Sequence, residues 1–473
     1  MNRLAVALLL VVFLPGVRAA DDARFIPHVK PRLIVLTDLS NEPDDEESLV
    51  RLLVYANEFD LEGLVATTST WLRQHPREDL IRRDLAAYAK VRPNLERHAP
   101  GFPDAAALLA VTRTGQDGFG LAATGPGRGT GGSQRIVEAA DRADPRPLWI
   151  SVWGGANTLA QALRDVRASR PADAVAKFVA KLRVYSISDQ DDAGAWLRRE
   201  FPGLFYIVTP SNPASYEEYY RATWGGISGG RGDQAAPGYH FELVDNPWLE
   251  AHVIRDHGPL GALYPRLAYI MEGDTPSFLG LIDRGLGWEL SPALGGWGGR
   301  YALYQPAGET RPIWTDNAST RDRVEVEPGR FENSNQATIW RWREPFQNDF
   351  AARMNWCVAP EVNDANHNPH AALDGNHSTD VLTLSARPGA TIPLSAAGTD
   401  AGDAGQDVKV TWWIYREAGT LDGARLTATS GPETAVVLPT APTAGTVHVI
   451  LQAEDHGSPQ LFSFRRVIIG VQP

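Results

Sequence analysis

With one cysteine, Cys357, in 473 residues, no internal disulfide can form in any redox compartment, and that thiol reads as a small buried hydrophobe rather than a nucleophile. Basic residues are outnumbered, 45 Lys and Arg against 57 Asp and Glu, and a formal charge of -12 excludes nucleic acid bound through a basic face. Helix-turn-helix, phosphate-loop and zinc patterns are missing, and His240, His252 and His257 are too loosely spaced to form a metal set. Long apolar runs are scarce. The run Leu4 to Leu14 is short for a bilayer, and with Arg3 before it and Val17-Arg18-Ala19 after it, residues 1–20 read as a signal peptide. The mature chain is expected to be secreted or periplasmic, with no membrane segment.

What is present centres on residues 32–55, RLIVLTDLSNEPDDEESLVRLLVY. Leu33 to Leu36 reads as a buried strand, and Leu49, Leu52, Leu53 and Ala56 follow at helical spacing. Between them Asn41, Glu42 and Pro43 make a bend, and Asp44, Asp45, Glu46 and Glu47 fill the first helical turn. Carboxylates suit the positive end of a helix dipole, which accounts for one or two of these acids. It does not account for Asp38 at the end of a buried strand opposite an Asp-Asp pair. Carboxylates packed that closely need a cation or a shared proton, and a hard cation held by oxygens, calcium first and magnesium second, is the expected partner.

From Arg32 to about Val208, short apolar strands alternate with amphipathic helices. Strands are expected over 61–68, 147–152, 182–187 and 204–208, and helices over 79–90, 134–143, 157–166 and 193–201. This pattern implies a Rossmann-like, mostly parallel sheet with helices on both faces, in which ligands bind beyond the carboxyl ends of the strands. The successive strand ends carry Thr37, Asp38, Asp44 and Asp45; then Ser69, Thr70 and Trp71; then Trp153, Gly154, Gly155 and Asn157; then Ser188 to Asp192. Four polar loops on one rim, with tryptophan among them, favour a ligand rich in hydroxyls over helix capping alone.

Between Pro210 and Phe346 the alternation gives way to an aromatic, glycine-rich stretch. It holds Tyr216, Tyr219, Tyr220 and Trp224, then a second cluster over 288–304. Most of these rings are expected to be core, with Trp71 and Trp297 placed near the cleft as sugar platforms. Arg231-Gly232-Asp233 reads as a turn. A boundary falls near Ala359, giving units 21–358 and 359–473; the second shows short strands at even spacing, as in an immunoglobulin-like β-sandwich. Trp412 and Trp413 must face opposite sides of one strand, one into the core and one outward or onto the other domain.

These motifs carry a resemblance. The strand with Asp38, Asp44-Asp45 and the helix after them resembles the amino-terminal motif of the nucleoside hydrolases, and VWGGANTLAQAL, residues 152–163, resembles their second motif. Over residues 30–358 the chain is similar to the secreted, cellulose-binding, nucleoside hydrolase-like branch of that superfamily, and the remainder resembles that branch's own carboxyl-terminal domain. The resemblance implies one calcium per chain. It makes Asp38 both ligand and base, Asp44 a grip on sugar hydroxyls, Asp45 a second ligand, Trp153 a carbonyl ligand and Asp349 the late aspartate that completes the shell. Thr70 stands near the family's sugar-binding asparagine, and Asn348 stands where several members place a histidine that protonates the leaving base. Leu36 replaces a further aspartate. Asn157, Asp189 and Asp191 join the substrate set, and Asp189, Asp191, Asp192 and Glu289 are the candidates for a general acid.

The expected function is calcium-dependent hydrolysis of a furanoside, either a nucleoside or a plant cell-wall saccharide. The alternative is a polysaccharide-binding protein that keeps the fold without the chemistry.

Overall fold

The computed structural model describes residues 20–40, 42–210, 219, 221–228, 240–441 and 443–472. The expected leader, save Ala20, and the Arg231-Gly232-Asp233 turn lie outside the described residues, as do Asn41, Tyr216 and Tyr220. Among the described residues no helix is long and apolar enough to cross a membrane.

The chain opens with β1 (Ala20–Ile26) and then builds an eight-stranded sheet. Its members are β2 (Arg32–Thr37), β3 (Asp60–Ala66), β4 (Thr112–Thr114), β5 (Leu148–Val152), β6 (Leu182–Ser186), β7 (Phe205–Ile207), β8 (Ala302–Tyr304) and β9 (Ile313–Thr315). They lie in the order β4-β3-β2-β5-β6-β7-β9-β8, parallel throughout except for the edge pair β8/β9. β2 is apolar on both faces because helices cover both. Leu33 and Val35 face the core under the helices Asp44–Val54 and Glu78–His98, and Ile34 and Leu36 face the one under Gly131–Asp141 and Asn157–Ser169. From β2 the chain runs outward to β3 and β4, then returns to the other side of β2 as β5. The carboxyl ends of β2 and β5 therefore flank a topological switch point, where a doubly wound sheet opens a crevice.

The strands and helices expected from periodicity stand within a few residues of their places. The main differences are a helix that continues through Pro93 to His98, and the three-residue strands β4, β8 and β9, which are too short to show a period. A hairpin, β10 (Asp322–Glu327) and β11 (Arg330–Ser334), precedes the long helix Arg343–Trp356.

The carboxyl-terminal strands are β12 (Val381–Ala386), β13 (Thr391–Ser395), β14 (Lys409–Ile414), β15 (Arg425–Leu426), β16 (Glu433–Val437), β17 (Gly445–Glu454) and β18 (Phe462–Val471). They form two sheets, β1-β12-β18-β17-β14 and β13-β16-β15, antiparallel except for β12/β18. The sheets pack face to face, with Leu384, Leu451 and Val467 of one against Ile392, Leu394 and Val436 of the other.

The pairing of β1 with β12 means that the start of the unit read as 21–358 hydrogen-bonds into the sheet of the unit read as 359–473. The sandwich keeps a core of its own, but it also contributes to that of the first unit. Tyr415, Ile450, Phe462 and Phe464 belong to the same buried cluster as Trp288 and Trp342. Trp412 fills the sandwich, while Trp413 faces the first domain with its ring 5.6 Å from Trp342. Arg466, fully buried, crosses the junction to donate to the carbonyls of Leu286 at 2.7 Å and Gly295 at 2.8 Å.

Trp342 also meets Phe464 at 5.3 Å and Tyr415 at 5.9 Å, so it is the ring through which the two cores join. Trp342→Ala is expected to cost about 3–5 kcal/mol and to split one calorimetric unfolding transition into two. An unchanged single transition would show that the domains are joined elsewhere.

Candidate metal centre

Asp38 follows the last residue of β2, and Asp44 and Asp45 begin the next helix, so the chain itself delivers three carboxylates to the crevice. The Thr37 hydroxyl fixes the first two elements together: it donates to Asp45 Oδ1 and accepts the Leu39 N–H at 3.1 Å. A fourth carboxylate comes from far along the chain. About two helical turns below Asp44 and Asp45, Arg51 pairs with the buried Glu272, its Nη2 donating to Oε1 at 3.0 Å. Tyr264 and Thr275 donate to the same Glu272 carboxylate at 2.7 and 2.8 Å, and Glu47 accepts the Glu272 N–H at 2.8 Å. These contacts hold Glu272 in a left-handed conformation, φ 48°, and turn Asp274 back over the start of the helix.

Asp44, Asp45 and Asp274 each present an oxygen such that the three lie within 4.8 Å of one another. All are buried, Asp274 to 1 % exposure. Asp38 stands beside them. Ser69 donates to its Oδ2, and its Oδ1 lies against Gly154, where any Cβ would collide with it. Among the described residues no arginine, lysine or histidine pairs with any of the four.

The electrostatics follow from that crowding. Burial raises the Asp38 carboxyl to about 6 against the pull of the Ser69 hydrogen bond. Burial, with the charges of Glu42 and Asp38, raises Asp44 to about 8. Asp45 and Asp274 are likewise pushed well up, by burial first and by their acidic neighbours second. Asp38 Oδ1, Asp44 Oδ1 and Asp274 Oδ2 are buried without a hydrogen-bond partner. Oxygen-only donors with unsatisfied lone pairs in a negative pocket fit a hard divalent cation.

Several expected rim residues are here. Trp153 ends β5 with its carbonyl accepting from Gln190 Nε2 at 2.8 Å. Asn157 donates from Nδ2 to Thr68 Oγ1 at 3.0 Å and to the Gly118 carbonyl at 2.7 Å, leaving its Oδ1 buried and unpartnered. Asp191 accepts the backbone N–H of Asn157 at 3.1 Å and of Ala193 at 2.9 Å, and burial raises it to about 7. Its Oδ2 would meet a Cβ on Gly155 at 2.6 Å, so Asp38 and Asp191 close on the two glycines of one turn. Thr70 is half-buried and Trp71 is 41 % exposed beside Ser69.

Other expected site residues are not brought to the centre. Asp349 is spent at the domain junction. Arg284 and Arg353 donate to it at 3.2 Å, Tyr55 at 2.6 Å and Asn368 at 2.7 Å, and the arginines hold it down at about 2 despite burial. The late aspartate of the cluster is Asp274 instead. Asn348 is half-buried on the same helix as Asp349. Asp189 is clamped by Arg198 through two bonds of 2.8 Å. Trp297 is core, 2 % exposed, packed on Phe346 and Arg284. Asp192 is exposed and accepts the Leu121 N–H at 2.7 Å. Glu289 is at the wrong end of the sheet: it bonds His28 at 3.1 Å in a cavity with Lys30 and Pro147, before β2 and β5 begin.

Sequence reasoning missed Asp274, and it placed Thr37 and Ser69 on the rim without giving their hydroxyls a role. The one local signal for Asp274 was Gly-Asp-Thr-Pro, an acid just before a proline-started helical turn, Pro276–Leu279. The aromatic wall beside Asp44 comes from Tyr219 and Trp224, packed with Ile187 and Ile270.

A doubly wound parallel sheet with carboxylates gathered at its switch point is the architecture of the nucleoside hydrolase-like proteins. Residues 32–301 match the family described as cellulose-binding Sde182, nucleoside hydrolase-like domain, and residues 391–471 match the cellulose-binding protein Sde0182, C-terminal domain. The chain belongs to the Sde182 nucleoside hydrolase-like family.

Among solved structures it is similar to a nucleoside hydrolase-related hypothetical protein from Saccharophagus degradans that is associated with carbohydrate metabolism. Identity is 35%, coverage is 94% of this chain and 100% of that one, and the TM-score is 0.80. More distant are the effector XOO4466 (15% identity, 70% of this chain and 95% of that one, TM-score 0.32) and the type III effector XopQ complexed with adenosine diphosphate ribose (14%, 70% and 96%, 0.32). No curated protein matches the chain.

The raised carboxyls give a signed prediction. Asp38 and Asp44 titrate at about 6 and 8 when folded, against an ordinary 3.8 when unfolded, so the native state holds protons that the unfolded chain has released. Cation-free protein is therefore expected to lose thermal stability as pH rises from about 4 through 8, and calcium to restore it most at the alkaline end. Asp274→Asn should shrink both effects; a melting temperature indifferent to calcium at every pH would contradict the cation site.

Proposed function

We propose that the chain is an exported, calcium-dependent glycoside hydrolase that attacks the anomeric carbon of a furanoside or plant-wall saccharide with water. The observation that carries this reading is the set of Asp44, Asp45 and Asp274, whose oxygens lie within 4.8 Å of one another, with Asp38 beside them adding to the repulsion, all buried and without a basic partner. A calcium ion bound there supplies neutralising charge and Lewis acidity to the oxygens it meets. Asp38, whose Oδ2 is engaged by Ser69, takes a proton from the attacking water at Oδ1. The unpartnered Asp44 Oδ1 and Asn157 Oδ1 accept hydroxyls of the sugar, and Trp71 stands at the mouth as an apolar platform. Asp191, held near neutrality by burial, is the remaining acid for the leaving oxygen.

One observation favours a second reading, a saccharide-binding protein without turnover. Both oxygens of Asp191 already accept backbone N–H groups, so its carboxyl also serves simply to join two loops. The family's name points to cellulose as the polymer to test first.

The deciding experiment is hydrolysis of nitrophenyl furanosides and pyranosides, inosine and uridine, with calcium and with chelator. Turnover that needs calcium and falls roughly 10²–10⁴-fold in Asp38→Asn is expected. No turnover on any substrate, with calcium bound, selects the second reading.

A further inference from the structure

Ser69 is fully buried and is bonded on every side. Its hydroxyl oxygen accepts the N–H groups of Trp71 at 3.0 Å and Leu72 at 2.9 Å, and its own N–H donates to the Leu72 carbonyl at 2.8 Å, closing a tight turn. A hydroxyl has two lone pairs and one hydrogen. With both lone pairs facing backbone N–H groups, the hydrogen has one direction left, toward Asp38 Oδ2. The carboxylate is thereby fixed with Oδ1 unpartnered, in the gap that Gly154 leaves open.

We propose that Ser69 is a positioning residue that presents Asp38 Oδ1 to the cation and ties that presentation to the turn carrying Trp71. The inference rests on the cation reading above. Partners of this kind orient first ligands and typically change metal affinity by roughly 10–100-fold when removed.

Calorimetric titration of the full chain with calcium tests it. Ser69→Ala is expected to weaken calcium binding at least tenfold, with Ser69→Thr, which keeps the hydroxyl, close to wild type. A Ser69→Ala protein of lowered melting temperature but unchanged calcium affinity would make Ser69 merely structural and overturn the proposal. Wild-type protein that binds no calcium is a different result, since it removes the cation reading itself and this inference with it.

A second inference stands on the domain junction and is independent of the cation. His98 ends the helix Glu78–His98, and His367 lies in the linker to the sandwich; both rings stack on Trp356. His98 Nε2 faces the Ala359 carbonyl at 2.9 Å, so that nitrogen carries hydrogen. His367 Nδ1 faces Asp403 Oδ1 at 2.9 Å, so it does too. The remaining nitrogens, His98 Nδ1 and His367 Nε2, lie 3.0 Å apart, and two neutral rings would set lone pair against lone pair.

We infer that the pair holds one excess proton, His367 donating to His98, with Asp403 as its counter-charge. The other charged groups around it are Asp364 of the linker, Arg353 over the Trp356 ring at 5.1 Å, and the Arg97–Glu361 pair at 3.5 Å. Burial, with the charge of His367, holds His98 below its usual range, so a second proton enters only in acid. The shared proton is present at low pH and its contribution is lost as pH rises.

His367→Gln supplies a fixed amide donor in place of the titrating one. From pH 6 to 9 wild-type stability is expected to fall relative to this variant; parallel profiles would overturn the inference. In the wild type, imidazole ¹⁵N shifts should show three protonated nitrogens of four in the pair at pH 6. Two would overturn it without any variant.

Discussion

Like-charge repulsion in a dry crevice is the constraint on which this site depends. Elsewhere the chain pairs its buried acids with arginine. Glu62 has Arg32, Glu272 has Arg51, Asp189 has Arg198, Asp322 has Arg300 and Arg341, and Asp349 has Arg284 and Arg353. Glu454 has Lys409 instead, and Glu47, Asp191 and Asp455, which lack a basic partner, accept backbone N–H groups. Asp38, Asp44, Asp45 and Asp274 receive neither treatment in full, although arginine is plentiful a few residues away. Leaving an isolated charge buried is far costlier than pairing it, so the omission marks the place where a mobile positive charge belongs.

The shape of that place is set without the cation. Arg51 and Glu272 lock the loop bearing Asp274 onto the helix bearing Asp44 and Asp45, about two turns along it from those two carboxylates. The clamp is an ion pair with satisfied lone pairs, so it contributes geometry where the cluster can contribute only repulsion. The crevice walls are also shared with the second domain at one remove. The helix Arg343–Trp356 sends Gln347 to Arg51 on the site side and Asp349 to Asn368 on the sandwich side. Docking of the sandwich therefore bears on the same helix that buttresses the clamp.

This division of labour explains what was legible in the sequence. Asp38, Asp44 and Asp45 were readable because a strand, a bend and a helix start are local events, and periodicity dates each one to within a residue or two. Trp412 and Trp413 were readable for the same reason, since a strand must alternate. Asp274 and Asp349 were confused because both are acids in the aromatic half of the chain and Asp349 reads as a helix start, whereas it lies in the middle of the helix Arg343–Trp356 and it is Asp274 that precedes a helical turn. Only the arginines packed against Asp349, from distant segments, tell them apart. Trp71 and Trp297 present the same difficulty: one lies at a rim and one in the core, with burial decided by contacts no window of sequence contains. The pairing of β1 with β12 crosses most of the chain and leaves no local trace.

The choice between turnover and binding can be pressed further on geometry. A protein that binds a crystalline or extended polysaccharide through stacking presents several aromatic faces on one plane. Here the exposed aromatics among the described residues include Trp71, after β3, and Tyr304, in β8. Those strands are six positions apart in the sheet order, roughly 29 Å at about 4.8 Å per strand, and between them the rim is polar. What the rim does converge on is a buried acidic cluster beside Tyr219 and Trp224, with unpartnered acceptors on Asp38, Asp44 and Asn157. Four desolvated carboxylates carry a heavy cost, which a bound cation would offset whether or not the site turns a sugar over.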